Sequence, residues 1–481
     1  MISKRNIAKS LGMVCLMLVV SSCGSLEKVT KEANRTVPEN YDSSSATIDS
    51  TNTAEVHWQD YFTDPYLNAL IDTALSNNQE LNITMQEIEI ARNEARARKG
   101  EYMPYVNFGA GAGIDKPGRY TSKGANDATT DIKPGMEMPD PLPDYMFGLN
   151  ATWEVDIWHK LRNARQSALR RYAASVEGKN FMVTNLIAEI SRSYYELLAL
   201  DNQLDIINQN ITLQSNALEI VKMQKQAARV TELAVRKFEA EVFHTKSLQY
   251  DVQQKIVETE NRINFLVGRF PQKVERSSDA FANLIPDTIH SGVPSQLLEN
   301  RPDVRQAELE LAAAKLDVKV AKAKFYPSVG ISAGVGFQAF NPQYLIKTPQ
   351  SLLFSLAGDI AAPLINRAAI KATYNNANAK QLQAIYNYEQ TLLNAYIEVA
   401  NQIAKISNME KSYELKSKEV DALTESIKIS NGLFRSARAD YMEVLLTQRD
   451  ALESKFELIE TKQQQMNAFV NMYKALGGGW K

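Results

Sequence analysis

Apolar residues recur at every seventh position from Leu169 through Val176, Val183, Ile190, Leu197, Leu204 and Ile211 to Leu218, and a second track passes through Leu186, Leu200, Ile207 and Val221. Two such tracks make the a/d seam of a coiled coil. The ladder lies in a run from His159 to Val267 that holds no proline and a single glycine, Gly178, so nothing in it must break a helix. At ~1.5 Å per residue, the helix predicted from Lys160 to Ala227 is roughly 100 Å long. The ladder returns at Ile385, Leu392, Val399, Ile406, Tyr413, Val420 and Ile427, inside a second proline-free run from Leu364 to Lys481. The recurrence predicts an internal duplication, two intertwined halves of one body.

Ahead of each long helix the period changes to two. After Pro104, Val106, Phe108, Ala110 and Ala112 alternate with Asn107, Gly109, Gly111 and Gly113. A loop rich in Pro, Gly and Asp follows over 114–146, and then Phe147, Leu149, Ala151, Trp153 and Val155 alternate with Gly148, Asn150, Thr152, Glu154 and Asp156. The second half repeats the device: after Pro327, Val329, Ile331, Ala333, Val335 and Phe337 alternate with Gly330, Ser332, Gly334 and Gly336, and a strand over 352–361 returns after a loop near 338–351. Such alternation suits a membrane β-barrel, apolar toward lipid and small or polar toward a wet lumen, although a half-buried sheet of a soluble protein reads similarly. Glu154, Asp156 and Asp359 are the candidates for the lumen face. Four strands do not close a barrel, and an open edge in lipid leaves backbone groups unpaired at several kcal/mol each. Association of chains is therefore predicted, and three chains give twelve strands.

Composition adds little to this picture and removes several alternatives. With 54 Lys and Arg against 56 Asp and Glu, the charge balance implies neither nucleic acid nor an acidic substrate. The four histidines, His57, His159, His244 and His290, lie in different segments without ligand spacing, and no nucleophile elbow or phosphate loop is present. The glycine run at 109–113 is not followed by the helix that phosphate binding requires, and Met136, Met138 and Met146 cluster in a loop. No catalytic residue, metal site or cofactor is predicted. The amino terminus has Lys4, Arg5 and Lys9, then an apolar run from Leu11 to Val20 too short to span a bilayer, a secretory signal. Its end, Val20-Ser21-Ser22-Cys23, resembles a bacterial lipoprotein signal, which implies cleavage and acylation of Cys23. The predicted organisation is a signal peptide over 1–22, an acylated extended tether over 23–54, a first repeat over 55–267, a linker over 268–296 and a second repeat over 297–481. A first helix is expected from Leu67 to about Gly100.

Three motifs resemble one family. They are Trp58-Gln59-Asp60-Tyr61-Phe62-Thr63-Asp64-Pro65-Tyr66-Leu67; Arg301-Pro302-Asp303-Val304-Arg305-Gln306-Ala307-Glu308, running on to Ala321, Ala323 and Pro327; and Tyr473-Lys474-Ala475-Leu476-Gly477-Gly478-Gly479-Trp480. They resemble the signatures of the bacterial outer-membrane efflux proteins, the TolC-like outer-membrane factors, especially their lipoprotein branch. The resemblance implies an α+β membrane protein: a long α-helical coiled-coil barrel continuous with a transmembrane β-barrel, two structural repeats and four strands per chain, assembled as a homotrimer. It further implies an exit duct for drugs, detergents or metal ions in outer-membrane lipid, served by a periplasmic adaptor and an inner-membrane RND-type transporter. An exit channel for type I protein secretion shares the architecture and remains the alternative.

Each long helix is expected to turn at the same point of the repeat, at Ala227–Leu233 and Ser436–Leu445. These turns resemble the family's hairpin tips, but Ala228 and Ala437 stand where the family usually has glycine. The resemblance implies adaptor contacts around Ala228, Arg229, Ala437 and Arg438 and a resting periplasmic gate of acidic side chains, for which Asp440, Glu443 and Glu232 are the candidates. Asp440 and Glu443 equally fit a capping box, with Asp at the N-cap and Glu at N3. Arg301-Pro302-Asp303 reads as a helix start, with proline in the first turn and an acid at the positive end of the dipole.

Overall fold

The structure, a computed structural model, describes residues 30–41, 52–278, 281, 284, 291–436 and 438–480. The expected signal peptide, the acylation site Cys23 and the tip residue Ala437 lie outside the described residues.

Helices α1 (Pro65–Asn77) and α2 (Gln79–Glu101) lead into strand β1 (Tyr105–Asp115), strand β2 (Leu142–Val155) returns, and the chain continues into α3 (Lys160–Gln226) and α4 (Glu232–Leu266). The second half repeats this order as α5 (Pro302–Ala323), β3 (Ser328–Ala339), β4 (Leu352–Ala361), α6 (Ala368–Arg435) and α7 (Tyr441–Leu476). Helices α3 and α6 run for 67 and 68 residues, as their unbroken heptads require. The chain thus contains two structural repeats.

The first expected helix is broken. Asn78 leaves helical backbone at φ -59°, ψ 127°. Its Oδ1 accepts from the Leu81 amide at 2.8 Å, while its Nδ2 donates to the Leu266 carbonyl at 2.8 Å. An asparagine that caps one helix and completes the end of another competes with helix continuation. The expected tether also differs, because its described parts are docked. Arg35 pairs with Glu308 at 2.5 Å, the Tyr41 ring stacks on Tyr396 at 5.4 Å, and Asn52 donates to Gln296 at 3.2 Å.

The described residues divide into two compact units. The first comprises residues 30–34, Arg96–Ser167 and Leu311–Asn387, and it holds the sheet. Its strands pair antiparallel in the order β1-β2-β3-β4, so β2 and β3, from different repeats, join at the centre and β1 and β4 form the edges. The loop between β1 and β2 is shorter than expected and contains a helix, Ser122–Asp127, and a small ribbon of Asp131–Lys133 with Met136–Glu137. The second unit comprises Arg35–Ala95, Ala168–Glu310 and Tyr388–Lys481 and is helical. Its largest core packs Trp58, Phe62, Leu67 and Ile71 against Ile187, Ile190, Leu197 and Leu198 of α3 and Phe469 and Tyr473 of α7. Tyr61 stacks on both Phe469 and Tyr473 at 4.2 Å and donates its hydroxyl to the Phe469 carbonyl at 2.8 Å, so the aromatic motif before α1 is a plug for this core.

Candidate functional site

The sheet has two chemically distinct faces. Register places Phe108, Leu149, Val335 and Phe354 in one row across the four strands, and Val106, Ala151, Ala333 and Leu356 in the next on the same side. Phe354 and Leu356 are each 79% exposed and Ile360 is 74% exposed, which water would penalise along the whole face. The opposite side carries Asn107, Asn150, Gly334 and Ser355 in one row and Tyr105, Thr152, Ser332 and Ala357 in the next. Glu154, Gly330 and Asp359 form a further row on that polar side. The Asp359 carboxylate lies over Gly330, where a Cβ would come within 2.5 Å of it, and Glu154 pairs with Lys160.

Asp156 does not belong to this face. Strand β2 ends at Val155, and the buried Asp156 carboxylate accepts from the amides of Leu161 at 3.0 Å and Arg162 at 2.9 Å. It is the anion at the positive end of α3. The period-two pattern ran one residue past the strand, so the sequence reading extended the alternation into a helix cap.

The turn between α3 and α4 keeps its left-handed geometry without glycine. Ala228 has φ +55°, its amide donates to the Lys225 carbonyl at 2.9 Å, and the Arg229 amide donates to the Gln224 carbonyl at 2.9 Å. Those two bonds form a Schellman motif. Alanine in that conformation is strained, so Ala228→Gly is expected to stabilise the turn by about 1 kcal/mol and Ala228→Val to weaken it. Amide exchange over residues 224–234 reads this directly, and equal protection in all three proteins would refute it. In the second turn the Arg438 amide donates to the Leu433 carbonyl at 2.8 Å, the corresponding bond.

Among the acidic tip candidates, Glu232 is locally neutralised. It pairs with Lys225 across the turn and with Arg236 at 2.9 Å. The Lys225 hydrogen bond chiefly holds its carboxyl below the ordinary value, so the pairing is present at neutral pH and lost only as pH falls through that lowered value. Lys225, seven residues before Glu232, gains meaning only once the turn is known, whereas Arg236 stands at the i,i+4 spacing of a helical ion pair. Asp440 occupies the N-cap position of α7: its backbone is extended at φ, ψ of -81°, 154°, its carboxylate accepts from the Tyr441 amide at 2.6 Å, and its carbonyl accepts from the Glu443 amide at 3.1 Å. Glu443, three residues on, is exposed.

The Arg301-Pro302-Asp303 motif is buried. The Arg301 side chain makes a two-pronged contact with Asp303, at 3.0 and 2.6 Å, and reaches Glu398 at 2.7 Å and the Ala475 carbonyl at 2.9 Å. Burial disfavours the cation, but the two carboxylates raise its pKa above the ordinary value. Trp480 donates to the Asn300 carbonyl at 3.1 Å, so the carboxy-terminal motif docks on the central one. Among the described residues no group of three His, Cys, Asp or Glu side chains is placed to hold a metal ion. No described helix is long and apolar enough to cross a membrane.

A family model described as outer membrane efflux protein matches residues 70–269 and 293–478. The pyoverdine export outer membrane protein OpmQ of Pseudomonas aeruginosa is 25% identical over 473 residues, which cover 98% of this chain and 97% of that one. The probable outer membrane lipoprotein SilC of Salmonella typhimurium is 24% identical over 471 residues, covering 97% of this chain and 98% of its own. Among solved structures, the outer-membrane channel OprN superposes with a TM-score of 0.82 at 23% identity, over 95% of this chain and 99% of that one.

Proposed function

The chain belongs to the outer membrane efflux protein family, and from that premise we propose that three copies close its sheet into a twelve-stranded barrel that discharges small molecules from the periplasm. It is a non-enzymatic outer-membrane channel of an efflux system. The observation that carries the trimer is the sheet itself: β1 and β4 are its edges, one face is apolar throughout, and its strands of 11, 14, 12 and 10 residues suffice to cross a bilayer at a tilt. Edges exposed to lipid would leave backbone groups unpaired, and joining β1 of one copy to β4 of the next removes every edge. The polar rows containing Asn150, Ser332, Glu154 and Asp359 then line the lumen.

The helical turns serve as the resting gate and as the contact for a periplasmic adaptor, itself bound to an inner-membrane transporter that supplies the energy. Cys23 carries the lipid anchor, a reading supported by the lipoprotein name of SilC. Cargo is a small organic molecule or metal ion, consistent with a relative named for pyoverdine export. A strain lacking the protein is expected to become sensitive to detergents, dyes, antibiotics or metal salts, with partial rescue by a Cys23→Ala gene. Unchanged sensitivity together with a protein missing from the medium would replace this reading with protein secretion.

The gate has its own test. Replacing Asp440 and Glu443 by alanine is expected to abolish block of single-channel current by divalent cations, because converging carboxylates attract them. The lost Asp440 cap costs a further ~1 kcal/mol of helix stability. Unaltered current and unaltered cation block would leave Asp440 with its capping role alone.

A further inference from the structure

Buried polar side chains interrupt the apolar tracks of α3, α4 and α7, and three of them fall between two apolar clusters. Gln214 continues the track of Leu200, Ile207 and Val221, yet it is fully buried and neither of its amide atoms has a hydrogen-bond partner among the described residues. The Thr245 hydroxyl on α4 is also fully buried without a partner, and Gln448 on α7, 4% exposed, has an unpaired Oε1.

These three side chains separate two apolar clusters. On the turn side lie Leu218, Val221, Phe238, Val242, Val444 and Leu445. On the other side lie Leu200, Ile207 and Val252, with Leu204, Ile211, Leu248 and Phe456 packed on them. Gln214 falls between Ile211 and Leu218 on α3, Thr245 between Val242 and Leu248 on α4, and Gln448 between Leu445 and Phe456 on α7.

We propose that Gln214, Thr245 and Gln448 form a hinge layer at which the tip of the α3–α4 hairpin, with the start of α7, separates from the remaining coiled coil. An apolar layer resists opening because it exposes hydrocarbon to water. This layer responds in the opposite sense: closed, it withholds partners from the Gln214 amide, the Gln448 Oε1 and the Thr245 hydroxyl, and opened, it lets water pair them. Polar residues at seam positions lower coiled-coil stability while fixing register, so the tip returns to the same alignment after each opening. The tip is then a separate cooperative unit of lower stability, as moving elements must be. Its use as a gate rests on the function proposed above; the hinge itself does not.

The test is hydrogen exchange on the full-length protein in detergent, for wild type, the Gln214→Leu, Thr245→Val, Gln448→Leu triple variant and Thr245→Val alone. These replacements keep approximate shape and remove the unpaired atoms. In wild type, amides of residues 216–243 are expected to exchange faster than those of 190–211 and 248–262. In the triple variant the tip amides are expected to slow at least about tenfold, some 1.4 kcal/mol of opening free energy, with the flanking amides unchanged. Thr245→Val, the mildest change, is expected to slow them in the same direction and guards against a misfolded triple variant. Uniform exchange on both sides of the layer in wild type, or equal slowing everywhere in the variants, would overturn the hinge. Single-channel recording separates the two proposals: slower tip exchange with fewer openings supports both, whereas slower tip exchange with unchanged openings keeps the hinge and defeats the gate.

Discussion

Replacing Arg301 by alanine is expected to destabilise the helical unit by about 3–5 kcal/mol, the usual cost of removing one partner from a buried ion pair. The Arg301 side chain is only 4% exposed, and its loss takes the cation from the Asp303 carboxylate, 16% exposed and left with the Val304 amide at 3.0 Å, and a donor from the Ala475 carbonyl. The effect is expected to spread to the carboxy terminus. Gly477, at φ +89°, packs so closely on Asn300 that a Cβ there would sit 2.5 Å from the Asn300 carbonyl oxygen. Trp480 bonds that same carbonyl. Arg301→Lys keeps the charge but loses the fork that grips Asp303, so an intermediate loss is expected. Urea unfolding in detergent, followed by exchange of the 473–480 amides, measures both effects. An unfolding midpoint within error of wild type for Arg301→Ala would show that the network is dispensable.

That contact shows how sequence and structure divide the labour. The central and carboxy-terminal motifs were each visible in the chain, yet nothing in their spacing says that they meet, because the contact joins a helix start to a chain end about 170 residues away. Regular elements were legible wherever one period held without interruption. Helix α3 ends one residue from its expected limit because its heptads and lack of breakers leave no competing structure. The faces of β1, β2 and β3 follow from period two, and the register puts Leu149 and Val335 on one side with Phe354 of β4 beside them. Failures fell where one side chain answers to a distant partner. Asn78 breaks a helix because the Leu266 carbonyl rewards it, and Asp156 leaves the polar face because the α3 amides claim it. Glu232, a gate candidate, meets Lys225 only because the turn folds back, whereas its pairing with Arg236 is an ordinary i,i+4 contact within α4. Gln214 was a mere gap in an apolar track, and only burial without partners gives it meaning.

Alanine at Gly336 is expected to disrupt the sheet by about 3 kcal/mol, the upper range for overpacking a tight site with one methyl group. Gly336 faces Gly148 across the β2–β3 pair that joins the two repeats. A Cβ on Gly336 would lie 2.5 Å from the Phe147 carbonyl oxygen and 2.9 Å from the Gly148 Cα, and one on Gly148 would lie 2.7 Å from the Val335 carbonyl oxygen. Those neighbours are backbone, so relief requires the strands to separate or slip. A slip of one residue would turn Phe337 and Val335 toward the polar side and Gly334 and Ser332 toward the apolar side, which the bilayer would not accept. Gly109 supplies the control on the same polar side: a Cβ there meets only the Asn150 side-chain nitrogen at 3.8 Å, an ordinary contact, so Gly109→Ala is expected to be near neutral. The readout is the protease-resistant fraction recovered from outer membranes. Gly336→Ala should be depleted strongly while Gly109→Ala matches wild type. Equal recovery of the two variants would mean that the strands open at Gly336 without cost, and that the close approach of β2 and β3 does not set the register of the sheet.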